Sequence, residues 1–415
     1  MSTPFDPILG RRSLLRGFGT LGALAVGTRL GSAAALTFSA PLPQGSGNLV
    51  LLELAGGNDG LSTVVPFADD AYQAARPKLA FGRDEVVVLD DYRGLNAKAT
   101  GLHEAWDAGE LAIVEGCGYP EPNRSHFKSM EIWHTGDLRG RDAGQGWVGR
   151  LSEAVWKQEL DPNRMVHVGS DKPFSLNSDV HNAASFVLPA GYRWIDNEGP
   201  MGKVAHADEP ADQPADEPEE AGTTLDALRR AYGDAAESST EVRAAVAAYR
   251  PRVEYPQTDL GRALLTSAAL LQGSTQSRIL SVRLGGFDHH NDLRRRHDLC
   301  MTELGGALSA FRRDLAGTER GDATTLMAFS EFGRRLSENG SRGADHGVAG
   351  PMFVMGPRVR GGLYGEHPSL TDLDKGDLKH TTDFRRVYAD VARGVFDVKP
   401  KAYLGKGYKK LGLLR

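Results

Sequence analysis

The sequence predicts an α/β fold with a mostly parallel central sheet flanked by helices, and three observations lead there. The continuous apolar runs at Asn48–Leu54 and Leu326–Phe329 lack the polar alternation of a half-exposed strand, as strands buried on both faces do, and Leu111–Gly118 and Ser277–Leu284 read as further strands. Helical patterns and loops separate these runs. Fifty glycines suit a fold with many tight strand-to-loop turns. At 415 residues the chain is long enough for one large α/β domain or for two. A net charge of −5 supplies no basic surplus to neutralise phosphates, which argues against nucleic acid as a partner. Cys117 and Cys300 fit no metal-ligand spacing; they are two buried free thiols or one disulfide.

Taken in order, the chain opens with a targeting segment. Arg11-Arg12 precedes the short glycine-rich apolar run Gly17–Val26, a pattern that resembles a bacterial twin-arginine signal. The small residues Ser32–Ala35 offer a cleavage site, so residues 1–35 read as the signal and 36–415 as the mature domain. The run is too short to span a bilayer and no later segment is apolar enough. The mature protein is therefore expected in the periplasm or outside the cell, without a stable membrane span.

The first strand, Asn48–Leu54, breaks at Gly56-Gly57-Asn58-Asp59-Gly60. Asp59 is either a ligand aimed above the sheet or an ordinary Asx-turn or helix cap. The second strand, Leu111–Gly118, ends in a glycine turn. Pro120–Asn123 then holds an extended loop, and a helical pattern starts at Ser125. There Ser125 is a plain N-cap or a nucleophile activated by a metal. Arg124 and His126 beside it are suitable partners for a phosphate or sulfate.

Strands are expected at Met165–Gly169 and Ala184–Leu188. Residues of about 197–222 are acidic and proline-bearing, a solvated linker or disordered insertion. A helical insertion at about 223–272 follows it, forming a layer or a cap beside the sheet. The third strand ends in Gly285-Gly286-Phe287-Asp288-His289-His290. Asp288 and His290, two positions apart in extended chain, point the same way and suit joint ligation of one ion. His297 falls on the next helix. The fourth strand delivers Glu331 at its C-terminal end, and Gly343–Gly347 carries Asp345 and His346 in a loop before the apolar run Met352–Met355. Open α/β sheets bind ligands outside the carboxyl ends of their strands. Glu331 and the Asp345-His346 pair are oxygen and nitrogen donors suited to a metal there, or else Glu331 pairs with Arg334 or Arg335 and His346 is a loop residue. His380 and Asp383 read as caps of the terminal helix.

The motifs Gly56–Leu61, Asn123–Phe127, Gly286–His290, Ser330–Arg334 and Asp345–Gly347, in that order behind a twin-arginine leader, closely resemble the exported bacterial family called domain of unknown function 1501. That family looks like a distant branch of the alkaline phosphatase and sulfatase superfamily. The resemblance implies an alkaline-phosphatase-like α/β sandwich in which Asp59, Asp288, His290 and His346 bind metal and Ser125 is the nucleophile. The superfamily has an Asp-His pair where this chain has Glu331 and Phe332, leaving one imidazole missing unless His289 or Asp345 compensates. The implied activity is an exported, metal-dependent hydrolase of phosphate or sulfate esters, using one or two divalent ions (Zn, Mg, Mn or Ca). Its partners would be a small anionic ester and the twin-arginine export machinery. The other function class is a catalytically inactive exported metal-binding or assembly protein on the same fold.

Overall fold

The computed structural model describes residues 45–192 and 224–415. The expected signal (1–35) and acidic linker (197–222) lie outside the described residues. The first apolar run forms β1 (Asn48–Leu54), with all seven residues buried. Its sheet also contains β2 (Leu111–Gly118), β3 (Met165–Val168), β4 (Ala184–Phe186), β5 (Ile279–Leu284), β6 (Thr324–Phe329), β7 (Gly350–Met355), β8 (Gly362–Tyr364) and β9 (Thr382–Asp383). The spatial order is β8-β2-β7-β6-β1-β5-β3-β4, with β9 also paired to β2.

Every pairing is parallel except the two made by β7. The cause is local. The chain between β6 and β7 never crosses the sheet, so β7 starts at the edge where β6 ended and has to run back. Loop Ser330–Ala349 is thereby held at the carboxyl ends of the parallel strands.

Side chains along β1 alternate between two cores. Val50, Leu52 and Leu54 join one cluster and Leu49 and Leu51 the other, which explains the uninterrupted apolar run. The first core is closed by α1 (Thr100–Asp107) and by the helices α4 (Thr224–Ala248), α5 (Asp259–Gln272) and α6 (Leu293–Leu315). α5 packs directly on α6 and β5 and buries Leu260, Leu264, Leu270 and Leu271 completely. It belongs to the helical layer. Full burial of each such leucine stabilises the fold by about 1.5–3 kcal/mol.

The second core is closed by α2 (His126–Thr135), α3 (Trp147–Trp156) and α7 (Arg385–Phe396). Trp133 of α2 stacks on Phe384 at 4.2 Å and on Phe329 at 5.8 Å between ring centroids. The Tyr388 hydroxyl donates to the Trp133 carbonyl at 3.1 Å. These contacts fix α2 against β6, so the first turn of the helix comes to rest at the carboxyl edge of the sheet. Cys117 is buried and Cys300 half-buried, both as free thiols. Among the described residues no helix is long and apolar enough to cross a membrane.

Candidate metal centre

Three loops meet above the carboxyl ends of β1, β5 and β6. Their approach needs glycine. Gly56 (φ +115°) and Gly57 (φ +76°) adopt left-handed backbone, and a Cβ on Gly56 would sit 2.6 Å from the Asp288 backbone nitrogen. The Arg334 guanidinium binds the loops together. It donates to the carbonyls of Gly57 (2.8 Å), Ala344 (2.9 Å), Phe287 (3.2 Å) and Gly56, and to Asp288 Oδ1 at 2.7 Å. Its rigid planar fork suits this task, since a lysine offers no such array of fixed donors.

Asp288 Oδ1 is the point on which three imidazoles converge. His290 Nε2 lies 3.1 Å away, His346 Nε2 3.2 Å and His126 Nε2 3.6 Å. In each histidine the other ring nitrogen is held by an acceptor: Nδ1 of His126 by Glu331 Oε1 (2.8 Å), of His346 by the Arg124 carbonyl (2.8 Å), and of His290 by Asp345 Oδ1 (3.2 Å). A carbonyl or carboxylate only accepts, so the Nδ1 atoms carry hydrogen and, in the neutral rings, the Nε2 atoms present lone pairs.

The consequence is an arrangement that wants a cation. His290 Nε2 and His346 Nε2 stand 3.0 Å apart, lone pair facing lone pair, with a carboxylate oxygen completing the triangle. His126 Nε2 is buried with no hydrogen-bond partner. The ligand atoms of His126, Asp288 and His346 all lie within 4.8 Å of one another. In the triangle of His290, His346 and Asp288, edges of 3.0–3.2 Å match the roughly 3.3 Å between ligands of a tetrahedral ion at about 2.0–2.1 Å, while His126 Nε2 stands farther out, 3.6 Å from Asp288 Oδ1. The donor set therefore fits a divalent ion.

Electrostatics agree. Burial raises the Asp288 carboxyl, but the hydrogen bond and charge of Arg334 outweigh it and bring the group down to about 2. Burial likewise opposes ionisation of Glu331, yet hydrogen bonds from His126 and from the Gly56 and Gly57 backbone hold it below the usual carboxylate range. The Glu331 hydrogen bond raises His126, making its Nε2 a better donor to a metal. Burial lowers His346 and so favours its neutral, ligating form.

The remaining predicted ligands stand elsewhere. The Asp59 carboxylate is buried against Arg76, with Nη1 on Oδ2 at 2.5 Å and Nη2 on Oδ1 at 3.0 Å, and it also accepts from Ser62 at 2.6 Å. Burial raises this carboxyl, but Arg76 takes it down to about 2. Its oxygens are committed to that pair, outside the converging group. Glu331 does not pair with Arg334 or Arg335; it orients His126. Asp345 orients His290 and accepts from Asn339 at 3.2 Å. His289 points away from the centre and is buried near Phe287 and His297. His126, read from sequence as an anion partner, turns its Nε2 toward the same carboxylate oxygen, 3.6 Å away.

Ser125 is the N-cap residue of α2, exposed, and its hydroxyl caps no backbone N–H. It stands between Arg124, whose carbonyl holds His346, and His126. The Arg124 guanidinium is paired with the buried Asp377, which also lies 3.3 Å from Arg335. Asp288, His126 and Glu331 line one side of a cleft of about 720 Å³ that extends past Phe127, Met130, His134, Lys172 and Arg283.

The family model described as "Protein of unknown function (DUF1501)" matches residues 115–388. No curated protein matches the chain in sequence. Among solved structures, the chain is similar to Ps i-CgsB in complex with k-i-k-neocarrahexaose, at 11% identity and a TM-score of 0.42, covering 89% of this chain and 75% of that one. It is similar to BT1596, a 2-O GAG sulfatase (12% identity, TM-score 0.35, 88% and 76% covered). A third likeness is to a protein in the alkaline phosphatase superfamily from Vibrio parahaemolyticus (10% identity, TM-score 0.34, 79% and 64% covered).

Proposed function

For this chain, which belongs to the DUF1501 family, we propose an exported metal-dependent hydrolase of phosphate or sulfate esters. The observation that carries the reading is the set of three Nε2 atoms turned on one carboxylate oxygen, each fixed by an acceptor behind it. His126, His290, His346 and Asp288 would hold the ion. Three imidazoles and one carboxylate favour Zn²⁺ over Mg²⁺ or Ca²⁺, which prefer oxygen. When bound, the ion supplies Lewis acidity toward an ester oxygen and lowers the pKa of a hydroxyl beside it.

The chain's own groups do the rest. Ser125, exposed at the start of α2, attacks phosphorus or sulfur and the alcohol departs, leaving a covalent phospho- or sulfo-serine. Its proton passes to solvent, from which the departing alkoxide is protonated. Water then attacks the same phosphorus or sulfur atom, and the serine is regenerated as inorganic phosphate or sulfate leaves. The N-terminal N–H groups of α2 favour the non-bridging oxygens. Arg334, 2.7 Å from Asp288 Oδ1, holds Asp288 in place. The test is an assay of zinc-loaded protein with 4-nitrophenyl phosphate and 4-nitrophenyl sulfate, beside Ser125→Ala and Asp288→Asn. Turnover in the wild type that both substitutions remove supports the reading; equal rates in all three discard it.

One observation favours a second reading. Arg334 already neutralises Asp288 and Arg76 neutralises Asp59, so the carboxylates left for metal are few. An exported protein that keeps one structural ion without turnover would bind zinc, lose thermal stability when it is removed, and hydrolyse neither ester.

A further inference from the structure

Glu53 is the one charged residue in β1, a strand otherwise free of charge. Isolated ionised carboxylates at such positions are costly unless paired. Glu53 is paired on both oxygens, with Oε2 2.9 Å from His134 Nε2 and Oε1 3.1 Å from Arg283 Nε. His134 comes from α2, the helix that carries Ser125 and His126, and Arg283 from β5, which leads to Asp288. Glu53 and His134 are buried while the Arg283 side chain remains 46% exposed. A buried dyad thus clamps the Nε side of the guanidinium of Arg283, a residue that lines the cleft.

The acids along the cleft are largely occupied. Glu131 meets Lys128 at 3.1 Å and Arg141 at 3.5 Å, Glu331 holds His126, and Asp288 faces the histidines and Arg334. Asp171, exposed, reaches Arg283 only at 4.0 Å. Lys172 adjoins it on the same wall, and among the described residues no carboxylate pairs with Lys172. Phe127, 84% exposed, lines the same cleft as Arg283 and Asp288.

We propose that this wall is a specificity subsite: Arg283, clamped by Glu53 and His134 and seconded by Lys172, binds a second anionic group on the body of the ester whose first anionic group lies at the metal centre. The inference rests on the proposed ester-binding role of that centre and names the substrate class as esters carrying an additional carboxylate, sulfate or phosphate. A cleft of about 720 Å³ is within the roughly 300–1,000 Å³ of small-molecule sites and leaves room for a body between the two anionic groups. Phe127 offers that body an apolar face. A prepositioned guanidinium suits the task because little side-chain entropy remains to be lost on binding.

The experiment measures binding by calorimetry, so it does not depend on turnover. Zinc-loaded protein is titrated with 4-nitrophenyl sulfate and 4-nitrophenyl phosphate, and with the 4-carboxyphenyl esters of the same acids. The expected result is a preference of about tenfold or more for the carboxyl-bearing member of each pair, the scale of one charge-assisted contact. In Arg283→Gln the preference falls to about unity. Lys172→Gln, which leaves the Glu53 clamp intact, reduces it by a smaller factor. Zinc content and thermal midpoint confirm that each variant is folded. Equal affinities within each pair in the wild type, a preference that survives both substitutions, or no binding of any ester overturns the subsite. Failure of the hydrolase reading is seen separately, as binding with preference but without turnover.

Discussion

Asp59→Asn separates two roles that the first strand-end loop can play. Asp59 and Arg76 are fully buried and joined by two hydrogen bonds, and Arg76 also donates to the carbonyls of Leu336 (2.7 Å) and Arg335 (2.8 Å). The substitution leaves a guanidinium buried without a counter-charge, a change that costs about 3–5 kcal/mol. The titration of Asp59 gives a consistent lower figure. Its folded pKa of about 2 against 3.8 corresponds to about 2 kcal/mol. Because the folded value is depressed, that stability is present above pH 3.8 and fades as pH falls toward 2. With an unfolding entropy of about 2.1 cal/mol/K per residue, a chain of 415 residues loses roughly 3–6 °C of melting temperature. Calorimetric melting of the metal-free protein reads the effect, and zinc titration of the same sample shows unchanged affinity. A melting temperature within about 1 °C of wild type together with loss of zinc binding would refute the ion-pair role and restore Asp59 as a ligand.

Other expectations follow from the same contacts. Glu331→Gln removes the carboxylate that fixes the His126 tautomer, so zinc affinity falls about 10- to 100-fold in competition with a chromophoric chelator while the fold persists; unchanged affinity contradicts the supporting role. Burial pushes His167 and His297 down to about 4 from 6.5, and His367 likewise. These rings are neutral in the fold, so their stabilisation is complete above pH 6.5 and is lost as pH falls from 6.5 to 4, by on the order of 3 kcal/mol each. Urea midpoints of the metal-free protein at pH 7.5, 5.5 and 4.5 should fall in that order, and a flat profile contradicts the burial. Leu264→Ala, in the core of α5, should cost about 2–5 kcal/mol in urea unfolding with zinc affinity unchanged. A loss of less than about 0.5 kcal/mol would mean that α5 is not part of the main core.

Local pattern carried the strands and most of the loops into view. The runs at β1 and β6 announce themselves because burial on both faces removes polar alternation, and the glycine pairs after β1 and β5 mark where the chain turns over the sheet edge. The pairing of Asp288 with His290 was equally legible, since a two-residue step returns a side chain to the same face. What local pattern does not encode is partnership across distance. Nothing at Asp59 reveals Arg76, which lies in a stretch without clear periodicity. Glu331 and His126 are more than two hundred positions apart and look independent until α2 is docked by Trp133. For the same reason His126 reads as an anion partner of its neighbour Ser125 and not as a metal donor. The reversal of β7 is a consequence of loop placement, which apolar content alone leaves undetermined. Arg334 shows least of all: a guanidinium that unites three loops looks, in sequence, like any arginine after a glycine.

The most direct test is calorimetric titration of metal-free protein with Zn²⁺, confirmed by elemental analysis of the dialysed complex. The converging imidazoles predict one ion per chain, lost in His346→Ala and in His126→Ala and kept in Asp59→Asn. Protein that takes up no divalent ion, or that binds it equally well without His346, would contradict the metal centre.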